Sequence, residues 1–259
     1  MFDLQGKRAL VTGASQGLGA GIAKALAAAH AMVILSARNE ALLGQVRDAI
    51  EADGGRAEIL PGDLYSRQGC RQLAAACGDI DILVNNAAQT ALTLKAVAEV
   101  EDEVWDSAVM LNLIAPKTLM ECFCPAMLRR GAGVVINISS MASRFTPPHS
   151  APYSVMKAAL EHLTRVAAME MAPFGVRVNA VMPGNFATAA MDTLMAQHDG
   201  MKQSMLSRIP MGRMGTLEEM GNLCVYLASD EAAYITGSVQ TIDGGATAGT
   251  FLPMRQESA

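Results

Sequence analysis

The sequence predicts an α/β fold, a doubly wound parallel sheet with helices on both faces, and three observations predict it. Short apolar runs (KRALV at 7–11, MVILS at 32–36, AEILP at 57–61, DILVNNAA at 81–88, VVINIS at 134–139, RVNAVM at 177–182) alternate with helix-length stretches. That alternation is the mark of repeated βαβ units. The first run opens into a glycine-rich turn, TGASQGLG at 12–19, and then the helix-like GAGIAKALAAA. Finally, 259 residues with 51% hydrophobic content suit one α/β domain with a sizeable core.

Composition excludes several function classes. A formal charge of −5 without blocks of like charge leaves no footprint for nucleic acid. The N-terminus MFDLQGKRALV lacks a charged-then-apolar leader, and no run reaches the roughly 18 apolar residues of a membrane span. A soluble, cytoplasmic protein is the expectation. Cys70, Cys77, Cys122, Cys124 and Cys224 show no CxxC spacing and read as reduced thiols. The four histidines are scattered, so no catalytic metal is expected.

Each element carries its own signal. Gly13, Gly17 and Gly19 allow a tight turn and close approach of backbone to a pyrophosphate, which the helix N-terminus then favours with free N–H groups and its positive dipole end. The second run ends in Ala37-Arg38-Asn39, where an acidic residue would bind the ribose 2′-hydroxyl of NAD. Arg38 stands there instead and can pair with the 2′-phosphate of NADP. A helix over 40–53, a strand ending in Asp63-Leu64, a further helix, and Asn85-Asn86 at the next strand end follow. A long helix over 101–129 contains Asn112 and Pro116. Because proline has no N–H, the Asn112 carbonyl four residues earlier loses its helical partner.

The stretch from Asn137 to Ala158 (NISSMASRFTPPHSAPYSVMKA) organises the rest. Tyr153 and Lys157 are four apart and share one face of a helix. Ser139 and Ser140 close the preceding strand, so a hydroxyl at a strand end faces a phenol and an ammonium. The continuation from Ala158 to Ala172 is almost wholly apolar and is expected to be buried on every side, by the core or by a partner subunit. Ala187 to Ser207 is Met-rich and reads as a lid over an apolar substrate or as surface helices. A helix over 216–228 and the strand GSVQTID close the fold, and residues after Gly245 form a tail.

With these residues in place the chain resembles the short-chain dehydrogenase/reductase family from about Lys7 to Gly245, through TGASQGLG, Asp63-Leu64, NNAA, Asn112, Ser140–Tyr153–Lys157, PGNFAT and TGSVQTIDGG. The resemblance implies one Rossmann-like domain over 1–259, with seven mainly parallel strands in the order 3-2-1-4-5-6-7, a substrate lid at 188–210 and a tail at 246–259. It assigns Tyr153 as acid/base, Ser140 as the hydroxyl that holds the substrate oxygen, and Lys157 as the residue that lowers the tyrosine pKa. Lys157 also binds the nicotinamide ribose in that scheme, and the Asn112 carbonyl holds a relay water. The catalytic serine of the family stands thirteen residues before the tyrosine, which selects Ser140 over Ser139. Cofactor contacts fall on Gly13, Ser15, Gln16, Gly17, Leu18, Gly19, Arg38, Asp63, Leu64, Asn86, Ala87, Tyr153, Lys157, Pro183, Gly184 and Thr188. Ala88 stands where many members have glycine, and Gln16 where many NADP-preferring members carry Arg or Lys.

The implied activity is NADP(H)-dependent hydride transfer to or from a carbonyl or secondary alcohol, with NAD(H) as the lesser cofactor and a small ketone, sugar or polyol as substrate. Unit charges about 4 Å apart interact by about 4 kcal/mol at an effective dielectric near 20, or roughly three pKa units. Lys157 and an oxidised nicotinamide are therefore expected to bring Tyr153 near working pH. A 3-oxoacyl-[acyl-carrier-protein] reductase-like enzyme, a dehydratase or epimerase, and a catalytically idle NADP-binding scaffold or sensor are the alternatives. Arg144, Phe145, His149, Asn185 and Phe186 flank the inferred substrate end, and Arg129, Arg130 and Arg144 are the basic residues expected beside its entrance. Partners are a small molecule and, like many family members, further copies in a homotetramer.

Overall fold

The computed structural model describes residues 2–89, 95–145, 147–196 and 200–249. Its strands are β1 (Arg8–Thr12), β2 (Met32–Ser36), β3 (Arg56–Ile59), β4 (Ile82–Asn85), β5 (Gly133–Ile138), β6 (Val176–Pro183) and β7 (Val239–Ile242). Its helices are α1 (Gly17–Ala28), α2 (Glu40–Ala52), α3 (Arg67–Cys77), α4 (Asp102–Val109), α5 (Ala115–Arg130), α6 (Ala151–Met171), α7 (Ala189–Ala196), α8 (Met201–Leu206) and α9 (Leu217–Ala228). The seven strands run in the predicted order β3-β2-β1-β4-β5-β6-β7, and every pairing is parallel. Strand order reverses between β1 and β4, so a crevice opens beyond their carboxyl ends.

Side chains alternate between the two faces of each strand. Ala9, Val11, Val33, Leu35, Ile82 and Val84 pack with Ile22 and Leu26 of α1, Leu43 of α2 and Met220 of α9. Leu10, Ile34, Leu83 and Val135 point the other way, against Leu73 of α3, Leu119 and Phe123 of α5 and Ala167 of α6. Because both faces are covered, the strands are apolar throughout, which is why they read as continuous runs. One buried polar chain crosses this core. Asn85 donates to Asn137 (2.8 Å), Asn137 to Thr164 (2.9 Å), and Thr164 to the Leu160 carbonyl (2.8 Å). It ties α6 to the ends of β4 and β5 and so fixes the helix that bears Tyr153 and Lys157.

Two elements differ from expectation. The single helix expected over 101–129 is α4 and α5 joined by a π-helical turn, Met110–Ile114, in which the Ala115 N–H bonds the Met110 carbonyl. Pro116 cannot donate, and the chain widens one turn ahead of it instead of kinking. The stretch expected to be buried on every side, by the core or by a partner subunit, is covered by its own core on one side only: Ala167 and Ala168 are buried, whereas Val166 is 42% and Met169 79% exposed in the single chain. Helix α6 lies on one face of the sheet as an outer layer, and alanine and methionine give no polar stripe from which its outer side can be read. The predicted lid contains α7 and α8, with residues 197–199 outside the described residues, as are 250–259 of the predicted tail. Among the described residues no helix is long and apolar enough to cross a membrane.

Candidate functional site

The crevice holds a cavity of about 930 Å³ that runs from the β1–α1 turn to α6. Its first end is built by the glycines. Gly13 has φ +66°, and a Cβ there would lie 2.9 Å from the Ala87 Cα. A Cβ on Gly19 would lie 2.2 Å from the Gly13 carbonyl oxygen. Only glycine lets the turn fold this tightly against β4. The Thr12 hydroxyl locks the junction, accepting from the N–H groups of Asn86 (3.0 Å) and Ala87 (3.1 Å) and donating to the Val84 carbonyl (3.2 Å). The Asn86 side chain adds bonds to the carbonyls of Thr12 (2.9 Å) and Gly13 (3.2 Å). Gln16, at the N-cap of α1, makes no side-chain capping bond, and the first turn of the helix lines the cavity. Free amides at a dipole's positive end form a phosphate cradle.

The carboxyl end of β2 forms the next wall. The Arg38 guanidinium lies 5.0 Å from the centre of the Tyr65 ring, a cation–π stack that holds the cation at the cavity edge. Asn39, where an acid might have stood, caps α2 by accepting from the Leu42 N–H (3.1 Å). Ser36 is buried, lines the cavity, and its hydroxyl has no hydrogen-bond partner among the described residues. An orphaned hydroxyl, a glycine cradle and a guanidinium with no acid beside it make a donor set that fits a dinucleotide phosphate ester.

The second end is formed by β5 and α6. Lys157 is 2% exposed and donates from Nζ to the carbonyl of Ile138 (2.7 Å), the last residue of β5. Its ammonium lies 5.7 Å from the centre of the Tyr153 ring. Burial pushes the Lys157 pKa down to about 7. Burial pushes the Tyr153 phenol above its ordinary value, and a hydrogen bond with Ser140 pulls it partly back. The lowering expected of Tyr153 needs the oxidised nicotinamide as well as Lys157; in the chain alone, desolvation is the largest influence on the phenol. The two serines separate clearly. Ser140 accepts the Ala142 N–H (3.1 Å), which leaves its own proton free for another acceptor, and lies beside Tyr153. Ser139 turns its hydroxyl inward to Glu161 (2.9 Å).

Of the predicted site residues, the cofactor set and Ser140 all line this one cavity. Asn112 does not. It is fully buried, and its side chain exchanges hydrogen bonds with the backbone of Gln89 (3.1 and 3.3 Å). Arg130 corrects another expectation. It bonds the Ile80 carbonyl (2.9 Å) and Asp81 (3.2 Å) at the amino end of β4, the edge of the sheet away from the cavity. Sequence reasoning missed Ser36, Tyr65 and Met191 among the lining residues, and Glu161 behind them. Glu161 carried a legible signal, since it stands four residues after Lys157 on the same helical face.

Residues 13–247 match the family model described as enoyl-(acyl carrier protein) reductase. The gluconate 5-dehydrogenase of Gluconobacter oxydans (strain 621H) is 34% identical over 252 residues, spanning 95% of this chain and 97% of that protein. The 3-oxoacyl-[acyl-carrier-protein] reductase of Escherichia coli (strain K12) is 36% identical over 245 residues, 94% and 98% of the two chains. Among solved structures, a gluconate 5-dehydrogenase from Burkholderia cenocepacia J2315 in complex with NADP and tartrate superimposes with a TM-score of 0.88 at 29% identity, covering 96% of this chain and 98% of that one.

Proposed function

The chain belongs to the short-chain dehydrogenase/reductase family, and on that premise we propose that it is an NADP(H)-dependent oxidoreductase that transfers a hydride between the nicotinamide and a carbonyl or secondary alcohol (a small ketone, sugar or polyol), with Tyr153 as its acid/base. Membership makes it an oxidoreductase acting on CH–OH groups. The observation that carries the finer reading is one cavity shared by the glycine cradle, Arg38, and the Ser140–Tyr153–Lys157 group.

The first-turn amides of α1, with Gly13, Ser15, Gln16, Gly17, Leu18 and Gly19, hold the pyrophosphate of the cofactor. Arg38, propped on Tyr65, pairs with the 2′-phosphate, while Asp63, Leu64, Asn86, Ala87, Pro183, Gly184 and Thr188 line the remaining length. NADPH supplies a hydride to the substrate carbonyl carbon when bound. At neutral pH the raised pKa keeps Tyr153 protonated, the state a general acid needs, and its phenol gives that proton to the carbonyl oxygen. Ser140 donates its free hydroxyl hydrogen to the same oxygen as negative charge develops there. Lys157 binds the nicotinamide ribose, and in its charged form it stabilises the phenolate left behind. The Asn112 carbonyl, which Pro116 cannot satisfy, holds a relay water that returns the proton.

The chain works as one domain in this reading, with 188–210 covering the substrate end, where Phe186 and Met191 line the cavity. A 3-oxoacyl-[acyl-carrier-protein] reductase is the second reading, favoured by the 36% identity to the Escherichia coli enzyme. A carrier protein calls for a basic entrance. Arg130 lies at the far edge of the sheet and Arg144 leans on Glu161, so the small substrate ranks first. Oxidation of NADPH and NADH by the purified protein, against ketones, sugar ketones and 3-ketoacyl thioesters, tests both readings. A hydrogen bond to a charged group is worth about 1.5–3 kcal/mol, so kcat/KM for NADPH is expected to exceed that for NADH by roughly ten- to a hundredfold. Equal values contradict the NADP preference, and turnover of thioesters alone favours the second reading.

A further inference from the structure

We propose that Glu161 is a positioning residue for the Ser140 hydroxyl, acting through the turn that carries it. Its side chain is 6% exposed, yet it does not line the cavity. A buried carboxylate persists only where donors surround it. Among the described residues its partners come from one short segment: the hydroxyls of Ser139 (2.9 Å) and Ser143 donate to it, and the Arg144 Nε stands in an ion pair at 3.8 Å. Ser140 sits between them.

The same segment is braced from within. The Ser143 N–H bonds the Ser140 carbonyl (2.9 Å), the Ser143 hydroxyl reaches that carbonyl as well (2.7 Å), and the Ser139 N–H bonds the Val181 carbonyl (2.7 Å). Glu161 adds the link to α6, the helix that carries Tyr153 two turns and Lys157 one turn earlier. Tyr153, Lys157 and Glu161 stand at i, i+4 and i+8, so the carboxylate sets the separation between the serine turn and the tyrosine face from behind. An apolar residue at 161 would leave Ser139 a long contact to the Lys157 carbonyl (3.4 Å) and Ser143 its bond to the Ser140 carbonyl. Glutamine would remove the charge that strengthens both serine hydrogen bonds at Oε1 and turn an amide donor toward Arg144.

The proposal rests on Ser140 being the hydroxyl that works beside Tyr153, and a spectroscopic test separates the two ideas without a substrate. Protein labelled with 13C at the tyrosine Cζ gives four resonances, one for each of Tyr65, Tyr153, Tyr226 and Tyr234, and Tyr153→Phe assigns that of Tyr153. The Cζ shift responds to the hydrogen bond between Ser140 and the phenol. Glu161→Gln is expected to move the Tyr153 resonance in the direction that Ser140→Ala moves it. The double variant is expected to coincide with Ser140→Ala, while Tyr226 and Tyr234 stay in place. A Tyr153 resonance unmoved in folded Glu161→Gln overturns the proposal. No movement in Ser140→Ala overturns the Ser140 reading and this proposal with it. Should Glu161→Gln fail to fold, Glu161→Asp, which keeps the charge and withdraws it by one methylene, is expected to give a smaller shift in the same direction. Its absence also counts against the assignment.

Discussion

At the scale of single residues, Lys157 is the costliest side chain in the molecule to hold. Its only hydrogen bond among the described residues runs to a neutral carbonyl, so nothing at the site compensates the buried charge, and its pKa falls to about 7 from an ordinary value of 10.5. Between those values the unfolded chain binds a proton that the folded chain does not, so this group makes stability rise with pH. Lys157→Met removes the effect. The stability advantage of the variant over wild type is expected to shrink by about 2 kcal/mol on going from pH 7 to pH 9. Urea melts of both proteins at each pH check this. The buried thiols, raised from 9.0 to about 11 or 12, lower stability from about their unfolded value upward, but equally in both proteins, so they cancel in the difference. A gap independent of pH would show that Lys157 keeps its charge in the free protein. An activated site is held here at a cost in stability, a common trade at catalytic groups.

At the scale of elements, two helical glycines have opposite roles. Gly19 sits in the first turn of α1, where an added methyl group meets the Gly13 carbonyl at 2.2 Å and the Asn86 side chain at 2.5 Å. Gly19→Ala is therefore expected to destabilise by about 1–3 kcal/mol, the usual cost of overpacking, and to abolish NADPH binding. Gly44 lies inside α2 with nothing near its missing Cβ. Gly44→Ala is expected to stabilise by about 0.5–1 kcal/mol and to leave binding alone. Thermal melts and fluorescence titration with NADPH read both variants.

The elements also show what the sequence could and could not convey. Strands buried on both faces announce themselves as apolar runs, and the turn glycines announce a close approach. The sheet order followed from the family resemblance, while the strands and the cofactor end were legible. Helix α6 was not, because an outer face made of Val155, Val166 and Met169 looks the same as a core face. The raised pKa of Tyr153 in the chain alone was not legible for a related reason: spacing places Lys157 beside the phenol but says nothing of how deeply the pair is buried. The spacing of Glu161 from Lys157 was legible, but not its role, because a lone acid in an apolar helix reads as a solvated residue until its serine partners appear.

At the scale of the whole molecule, one protomer leaves that apolar stripe of α6 open to solvent, with Val155 at 49%, Val166 at 42% and Met169 at 79% exposure. A second copy is the natural cover for such a face, and a homotetramer is the assembly proposed for this chain. Sedimentation equilibrium is expected to give a tetramer, and Val166→Glu to reduce it to smaller species. A wild-type monomer at micromolar concentration would count against it. The central claim is that the fold brings a cofactor cradle and a tyrosine acid/base into one cavity. Its most direct test is Tyr153→Phe, assayed for NADPH-dependent ketone reduction and for NADPH affinity by fluorescence. Loss of a general acid costs on the order of 10²–10⁴ in rate, so turnover is expected to fall by at least about a hundredfold while affinity stays within a few-fold of wild type. Undiminished turnover would place the proton transfer elsewhere and contradict the account.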